Sequence, residues 1–224
     1  MKIITIASQK GGAGKTTLAT NLAIASSKSN KTTLLIDTDF RQRNSLNWFQ
    51  KREEQDNPLV IEAGDQKTLF NIINLAKEKG VDRVFIDTKG SDEQLVNDAI
   101  SQSDYCLITC GPGGFDVSSQ GITASIAKRF RKKASFILSK APARGQEGKE
   151  TKAILSGLGF SSPEHQVTYL KAYRDAAMCG LSVLEYEPKG KASVEIKNLF
   201  EWLEKKLQVN PLLKDLEKGA LNDE

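Results

Sequence analysis

Lys10-Gly11-Gly12-Ala13-Gly14-Lys15-Thr16-Thr17 is the stretch from which the rest of the chain is read. It follows a short apolar run, Lys2–Ala7, and opens a helix-period segment. A glycine-rich loop in that setting is built to hold phosphate. The glycines Gly11, Gly12 and Gly14, with the small Ala13, let backbone N–H groups turn inward. The N-terminus of the following helix points its dipole at the same spot. Lys15 supplies a point charge for β- and γ-phosphates. The Thr16 hydroxyl is placed to ligate Mg²⁺, and Thr17 to hydrogen-bond an α-phosphate. The plain alternative, a strand–helix turn with no ligand, explains the glycines but not Lys15 and Thr16 together.

Outward from the loop, short apolar runs alternate with helix-period segments. The expected strands are Lys2–Ala7, Thr33–Ile36, Leu59–Glu62, Arg83–Ile86, Tyr105–Cys110, Ser135–Leu138 and Gln166–Tyr169. The expected helices are Thr16–Ser27, Ser45–Gln55, Leu69–Lys79, Asp92–Ser101, Ser118–Phe130, Lys149–Leu158, Ala172–Cys179 and Ser193–Leu207. The strands are continuous apolar runs, the pattern of strands buried on both faces of a parallel sheet. The order predicts an α/β fold, a mostly parallel sheet with helices on both faces. Residues 1–208 are expected to form a single domain. Residues 209–224, where Pro211 interrupts and periodicity is lost, are expected to be a loosely held tail.

Two strands end in carboxylates, and the C-terminal edge of a parallel sheet is where ligands sit. The second expected strand runs into Asp37-Thr38-Asp39, and the fourth into Asp87-Thr88. Asp87 would hold Mg²⁺ through water, because Mg²⁺ keeps most of its hydration and needs few protein carboxylates. A pair of capping aspartates would be the ordinary reading of Asp37 and Asp39 alone. Beside a phosphate loop it is the weaker one.

Composition narrows the function classes. The chain has 224 residues, 39% hydrophobic and 27% charged, an ordinary globular balance. No apolar run approaches the roughly 18 residues of a membrane span, and the start lacks a secretory or organelle signal. A cytoplasmic protein is expected. Cys106, Cys110 and Cys179 form no CxxC, and the only histidine is His165. Zinc and Ser-His-Asp chemistry are therefore disfavoured. The net charge of +4 is unevenly spread: residues 121–200 carry 14 basic and 7 acidic side chains, and residues 1–120 carry 14 and 15. Such a basic half is the footprint of a polyanion partner.

The loop departs from the common GxxxxGK[ST] form, with Gln9 in place of the first glycine and Lys10 before the others. It resembles the deviant Walker A ATPases of the ParA/MinD group, whose pattern KGGxGK[TS] residues 10–16 match at every fixed position. The likeness runs over roughly residues 1–205 and is strongest to the small plasmid partition ParA proteins. It includes Asn44-Ser45-Leu46-Asn47-Trp48, although Trp48 is equally expected as a core anchor. It also includes Tyr173-Arg174-Asp175-Ala176 and Gly180 to Glu185. Departures are Phe40 where proline is usual, Lys89-Gly90 for Thr-Pro, Thr109 for proline and Ser139 for an adenine-contacting asparagine.

The resemblance implies a P-loop NTPase fold, ATP and Mg²⁺ as ligands, and a homodimer closed by ATP. It implies that Lys10 reaches across to the partner's nucleotide, that Asp39 orients the attacking water, and that Asp37 sits close to the Mg²⁺ shell. It places Ser139 and Pro142 beside adenine. It implies non-specific binding of double-stranded DNA by residues such as Arg129, Arg131, Lys132, Lys133, Lys171 and Arg174, with nucleoid association. The plain alternative for those cations is a solvated helix face. A ParB-like adaptor would stimulate hydrolysis. Because the sequence starts at its first strand, no N-terminal helix-turn-helix is expected. The apolar stripe Ile196, Leu199, Phe200, Leu203 and Leu207 is expected to dock on the core rather than on a membrane. A weakly hydrolysing recruitment factor for a DNA-transfer complex is the second reading, and a small-molecule ligase such as dethiobiotin synthetase the third.

Overall fold

The computed structural model describes residues 1–53, 56–90, 93–144 and 146–208. The expected tail, 209–224, lies outside the described residues. Six strands form one sheet: β1 (Lys2–Ala7), β2 (Thr33–Asp37), β3 (Leu59–Glu62), β4 (Arg83–Asp87), β5 (Tyr105–Cys110) and β6 (Lys133–Leu138). Their order is β3-β2-β4-β1-β5-β6, and every pairing is parallel. The helices are α1 (Lys15–Lys28), α2 (Asn44–Gln50), α3 (Gln66–Glu78), α4 (Glu93–Gln102), α5 (Gly114–Arg129), α6 (Glu147–Ser156), α7 (Lys171–Met178), α8 (Val183–Tyr186) and α9 (Lys191–Gln208).

Alternating strand residues feed two opposite cores, which is why the apolar runs are unbroken. Ile4, Ile6, Leu35, Phe85 and Leu107 pack with α1, α2 and α7–α9. Ile3, Leu34, Ile36, Val84 and Ile86 pack with α3 and α4, while Ile108 and Phe136 pack with α4, α5 and α6. The stripe of α9 is buried as expected, with Ile196 and Leu203 at 0% exposure. No helix among the described residues is long and apolar enough to cross a membrane. Cys106 and Cys110 are buried, and burial pushes the Cys106 thiol up to about 12, so it stays protonated.

Two expectations change. Residues Gln166–Tyr169 are not a seventh strand; only one parallel bridge, Ala141 to Thr168, forms there. Val167 and Tyr169 still donate to the Leu138 and Ala141 carbonyls, and the Thr168 N–H and hydroxyl, on the outer edge, go to the Glu195 carboxylate. The short α8 was missed, although Ser182-Val183-Leu184-Glu185 has the capping-box spacing. The Glu185 carboxylate accepts the Ser182 N–H at 2.8 Å. Glu185 also pairs with Arg52 at 2.7 Å, and the Arg52 guanidinium lies over the Trp48 ring. Trp48 is a core anchor, 4% exposed, with its indole N–H on the Leu181 carbonyl. Together these contacts tie α2 to the segment before α8.

Candidate nucleotide site

The ends of β1, β2 and β4 open on one cleft of about 400 Å³. Gly11, Gly12, Ala13, Gly14, Lys15, Thr16, Thr17, Asp39 and Asp87 all line it. Gly12 and Gly14 have φ of 73° and 85°, left-handed values that a side chain would strain. Gly14 caps α1 without any side chain reaching back, so the helix N-terminus is left to a ligand. Lys15 is nearly buried, and its ammonium donates to the Lys10 carbonyl at 3.1 Å. Burial lowers its pKa, and Asp87 and Asp39 partly offset that.

Asp87 is the electrostatic centre. Its Oδ2 accepts the hydroxyls of Thr16 at 2.7 Å and Ser45 at 2.8 Å. Its Oδ1 is buried and has no hydrogen-bond partner. Burial first, then the neighbouring Asp37, pushes its carboxyl up to about 7; the two hydroxyls and Lys15 pull the other way. An orphaned carboxylate oxygen beside the Thr16 hydroxyl fits Mg²⁺, a hard ion that takes oxygen ligands and keeps its waters. No cluster of three or more His, Cys, Asp or Glu with metal-binding geometry occurs among the described residues.

The raised value makes a stability prediction. The unfolded Asp87 loses its proton near 3.8 and the folded one near 7. The stabilising contribution of the protonated form is therefore complete below about 4 and lost as pH rises through about 7. Asp87→Asn cannot ionise, yet its carbonyl still accepts from Thr16 and Ser45. Thermal denaturation without nucleotide is expected to show the wild type losing stability relative to this variant between pH 4 and 8. Parallel profiles would contradict the assignment.

Several expected site residues sit differently. Asp37 is wholly buried and does not line the cleft. Its oxygens accept the N–H groups of Asp39, Ser45 and Leu46 at 2.9, 2.9 and 3.1 Å. It holds the start of α2 and bears on Asp87 through Ser45 and through its own neighbouring charge. Pro142 lines neither this cleft nor the next cavity. Ser139 is committed to the loop: its hydroxyl donates to the Ala13 carbonyl at 2.5 Å rather than facing a base. Lys10 is exposed and is not among the residues lining its own cleft. The expected DNA residues separate. Lys171 and Arg174 line a cavity of about 570 Å³ adjoining the cleft, while Arg131, Lys132 and Lys133 line a groove at the other end of the sheet. Arg129 lies over the Phe130 ring.

Sequence reasoning missed Ser45, Lys89, Gly90 and Lys140. Ser45 had a signal, a hydroxyl opening the helix that follows the Asp37–Asp39 pair. Two of the departures meet in space: the Lys89 ammonium is 6.0 Å from the centre of the Phe40 ring, with Arg41 on the same ring at 5.7 Å. Lys89 and Arg41 thus place cations at the aromatic face of Phe40, which stands where the common pattern has proline. Gly90 closes on the phosphate loop, and a Cβ there would lie 3.1 Å from the Gly11 nitrogen. Lys140, at φ 54°, projects its ammonium toward Gly12 and lines both cavities.

Comparison with known proteins agrees with this geometry. Protein ParA of Rhizobium radiobacter is 32% identical over 120 residues, 53% of this chain and 52% of its own. The maintenance of carboxysome distribution protein A of Halothiobacillus neapolitanus is 23% identical over 199 residues, 86% of this chain and 91% of its own. In fold the chain is similar to the septum site-determining protein MinD of Pyrococcus horikoshii, solved with Mg-ADP, at TM-score 0.76 and 18% identity, covering 92% of this chain and 97% of that one. The family model for the CobQ/CobB/MinD/ParA nucleotide binding domain matches residues 4–184, which include the phosphate loop and both carboxylate strand ends. The chain belongs to that nucleotide-binding family.

Proposed function

We propose that this protein is a ParA-like partition ATPase in which residues 1–208 work as one ATPase domain. The observation that carries the reading is the pairing of an uncapped α1 N-terminus with the orphaned Asp87 oxygen beside Thr16. Backbone N–H groups of residues 11–17 hold the phosphates of ATP, and Lys15 balances their charge. Thr16 and Asp87 would hold Mg²⁺, which would supply charge neutralisation for the phosphates. Asp39 lines the cleft and orients the attacking water. Asp37 positions α2 and, through Ser45, the Asp87 carboxylate. Lys10, exposed and not among the residues lining its own cleft, serves the nucleotide of a second copy. Positioning and electrostatics carry such chemistry, so turnover is slow until a ParB-like adaptor stimulates it. The nucleoside end extends into the adjoining cavity, where Ser139 fixes the loop instead of reading the base.

The ATP-bound pair holds duplex DNA non-specifically, positions plasmid or other cargo on the nucleoid in the cytoplasm, and lets go after hydrolysis. The names of the Rhizobium and Halothiobacillus relatives, a ParA and a carboxysome distribution protein, favour a positioning role. The test is retention of kilobase-length DNA with ATP, ADP or no nucleotide. Retention is expected to be several-fold stronger with ATP; equal retention in all three would remove the switch. The departures at Phe40 and Lys89 favour the second reading, a weakly hydrolysing recruitment factor, if turnover stays flat when DNA and adaptor are added.

A further inference from the structure

The chain leaves β6 against the phosphate loop. Ser139 donates its N–H to the Cys110 carbonyl at 2.8 Å and its hydroxyl to the Ala13 carbonyl at 2.5 Å. Ala141 donates to the Val167 carbonyl at 3.0 Å, and Tyr169 donates to the Ala141 carbonyl at 2.8 Å. Lys140 lies between these two anchored residues, with φ of 54°. A lysine takes that left-handed conformation only where its surroundings impose it. The turn carries the side chain over the loop. Its ammonium lies 3.9 Å from where a Cβ on Gly12 would stand. Lys140 thereby lines both the cleft of about 400 Å³ and the cavity of about 570 Å³ beside it.

The charges in the cleft single this residue out. The lining carries three lysines, Lys15, Lys89 and Lys140, and two carboxylates, Asp39 and Asp87. Lys15 donates to the Lys10 carbonyl at 3.1 Å, and Asp87 and Asp39 act on its charge. The Lys89 ammonium rests at the Phe40 ring. In the adjoining cavity, Lys171 and Arg174 both reach the Asp175 carboxylate, at 3.2 and 3.6 Å. Lys140 is exposed at the mouth, and among the described residues no carboxylate or aromatic ring holds its ammonium. A solvated surface lysine is the plain alternative, but glycine would make the same turn without strain. A di- or triphosphate carries several negative charges, and a cleft partly closed to water needs cations on the protein side to hold them.

We propose that Lys140 is a binding residue for the nucleotide of its own protomer, with its ammonium on the phosphate chain. The inference rests on the reading of the cleft as an ATP site. It gives Lys140 a part distinct from that of Lys10: Lys10 acts when two copies meet, and Lys140 acts before they do. Lys140 therefore sets how tightly a single copy holds ADP as well as ATP, and so how long spent nucleotide stays after hydrolysis.

The experiment is calorimetry of the full chain with ADP·Mg²⁺ and with ATP·Mg²⁺. ADP is expected to leave the protein unpaired, so its affinity reports one protomer. Lys140→Asn removes the cation and keeps a residue that tolerates the left-handed turn. It is expected to weaken ADP binding by about ten- to thirtyfold, with the thermal midpoint of the nucleotide-free protein unchanged. Lys140→Arg keeps the charge and is expected to stay within about threefold of wild type. Lys140→Gly, which also makes the turn, is read instead if the Asn variant lowers the midpoint. Neutral variants that bind ADP within about twofold of wild type would overturn the assignment. If those variants weaken only ATP-driven pairing, the cation serves a second copy and the assignment is likewise wrong. An arginine variant as weak as the neutral ones would also overturn it, because charge would not be the cause. If the wild type binds neither ADP nor ATP, the ATPase reading itself falls, a failure distinct from that of Lys140 alone.

Discussion

Asp39→Ala is expected to lower ATP turnover by about a hundredfold or more while leaving ATP binding and ATP-driven pairing in place. The reason is its position. Asp39 lines the cleft, half-buried, and its Oδ1 accepts the Gln42 N–H at 3.1 Å, which fixes the carboxylate in the cleft wall. The substitution removes that carboxylate and little else. The residue's own N–H still donates to Asp37, and Asp37 still holds the N–H groups of Ser45 and Leu46. The start of α2 and the Ser45–Asp87 bond therefore survive. Single-turnover phosphate release, read beside light scattering with ATP, separates the two effects. Turnover within threefold of wild type would show that the water is oriented by another group.

Much of this architecture was legible in the chain. β1, β3 and β5 have the bounds that their apolar runs give, and the other three strands differ by one or two residues. Strands buried on both faces leave little room for misreading, because a slip would expose an unbroken apolar run. The phosphate loop was equally readable, since backbone geometry there depends on glycines that few other structures require. The loop after β6 was not. Gln166–Tyr169 pairs with the chain just past β6 through the Val167 and Tyr169 N–H groups, but the pairing stops at one bridge, and the outer edge at Thr168 is taken by Glu195.

The carboxylates show the same limit at the site. Asp37 and Asp39 are two residues apart, a spacing that would put both on one face of a strand, but β2 ends at Asp37, and the turn beyond it brings Asp39 to the cleft while Asp37 stays buried. Which is which depends on α2, whose N-terminal N–H groups surround Asp37. The basic half misled in another way. Charge counted along the chain merges Lys171 and Arg174 with Arg131 to Lys133, but β6 and the loop after it carry the two groups to opposite ends of the sheet. Linear charge density records how many cations there are and not which way they face.

The central claim is that two copies enclose their nucleotides and that each lends Lys10 to the other. Two triphosphates brought face to face need cations from both sides, and breaking a buried charge pair costs about 3–5 kcal/mol. Lys10→Ala is therefore expected to weaken ATP-driven pairing by at least about a hundredfold. Turnover is expected to fall with it. Binding of ATP to one protomer is expected to change little, because Lys10 is exposed and does not line its own cleft. The measurement is sedimentation of wild type and Lys10→Ala with saturating ATP·Mg²⁺ and with ADP, beside steady-state turnover of the same samples. Pairing by the wild type with ATP alone, and its loss in the variant, is the predicted result. A variant that still pairs and still turns over at the wild-type rate would contradict the account.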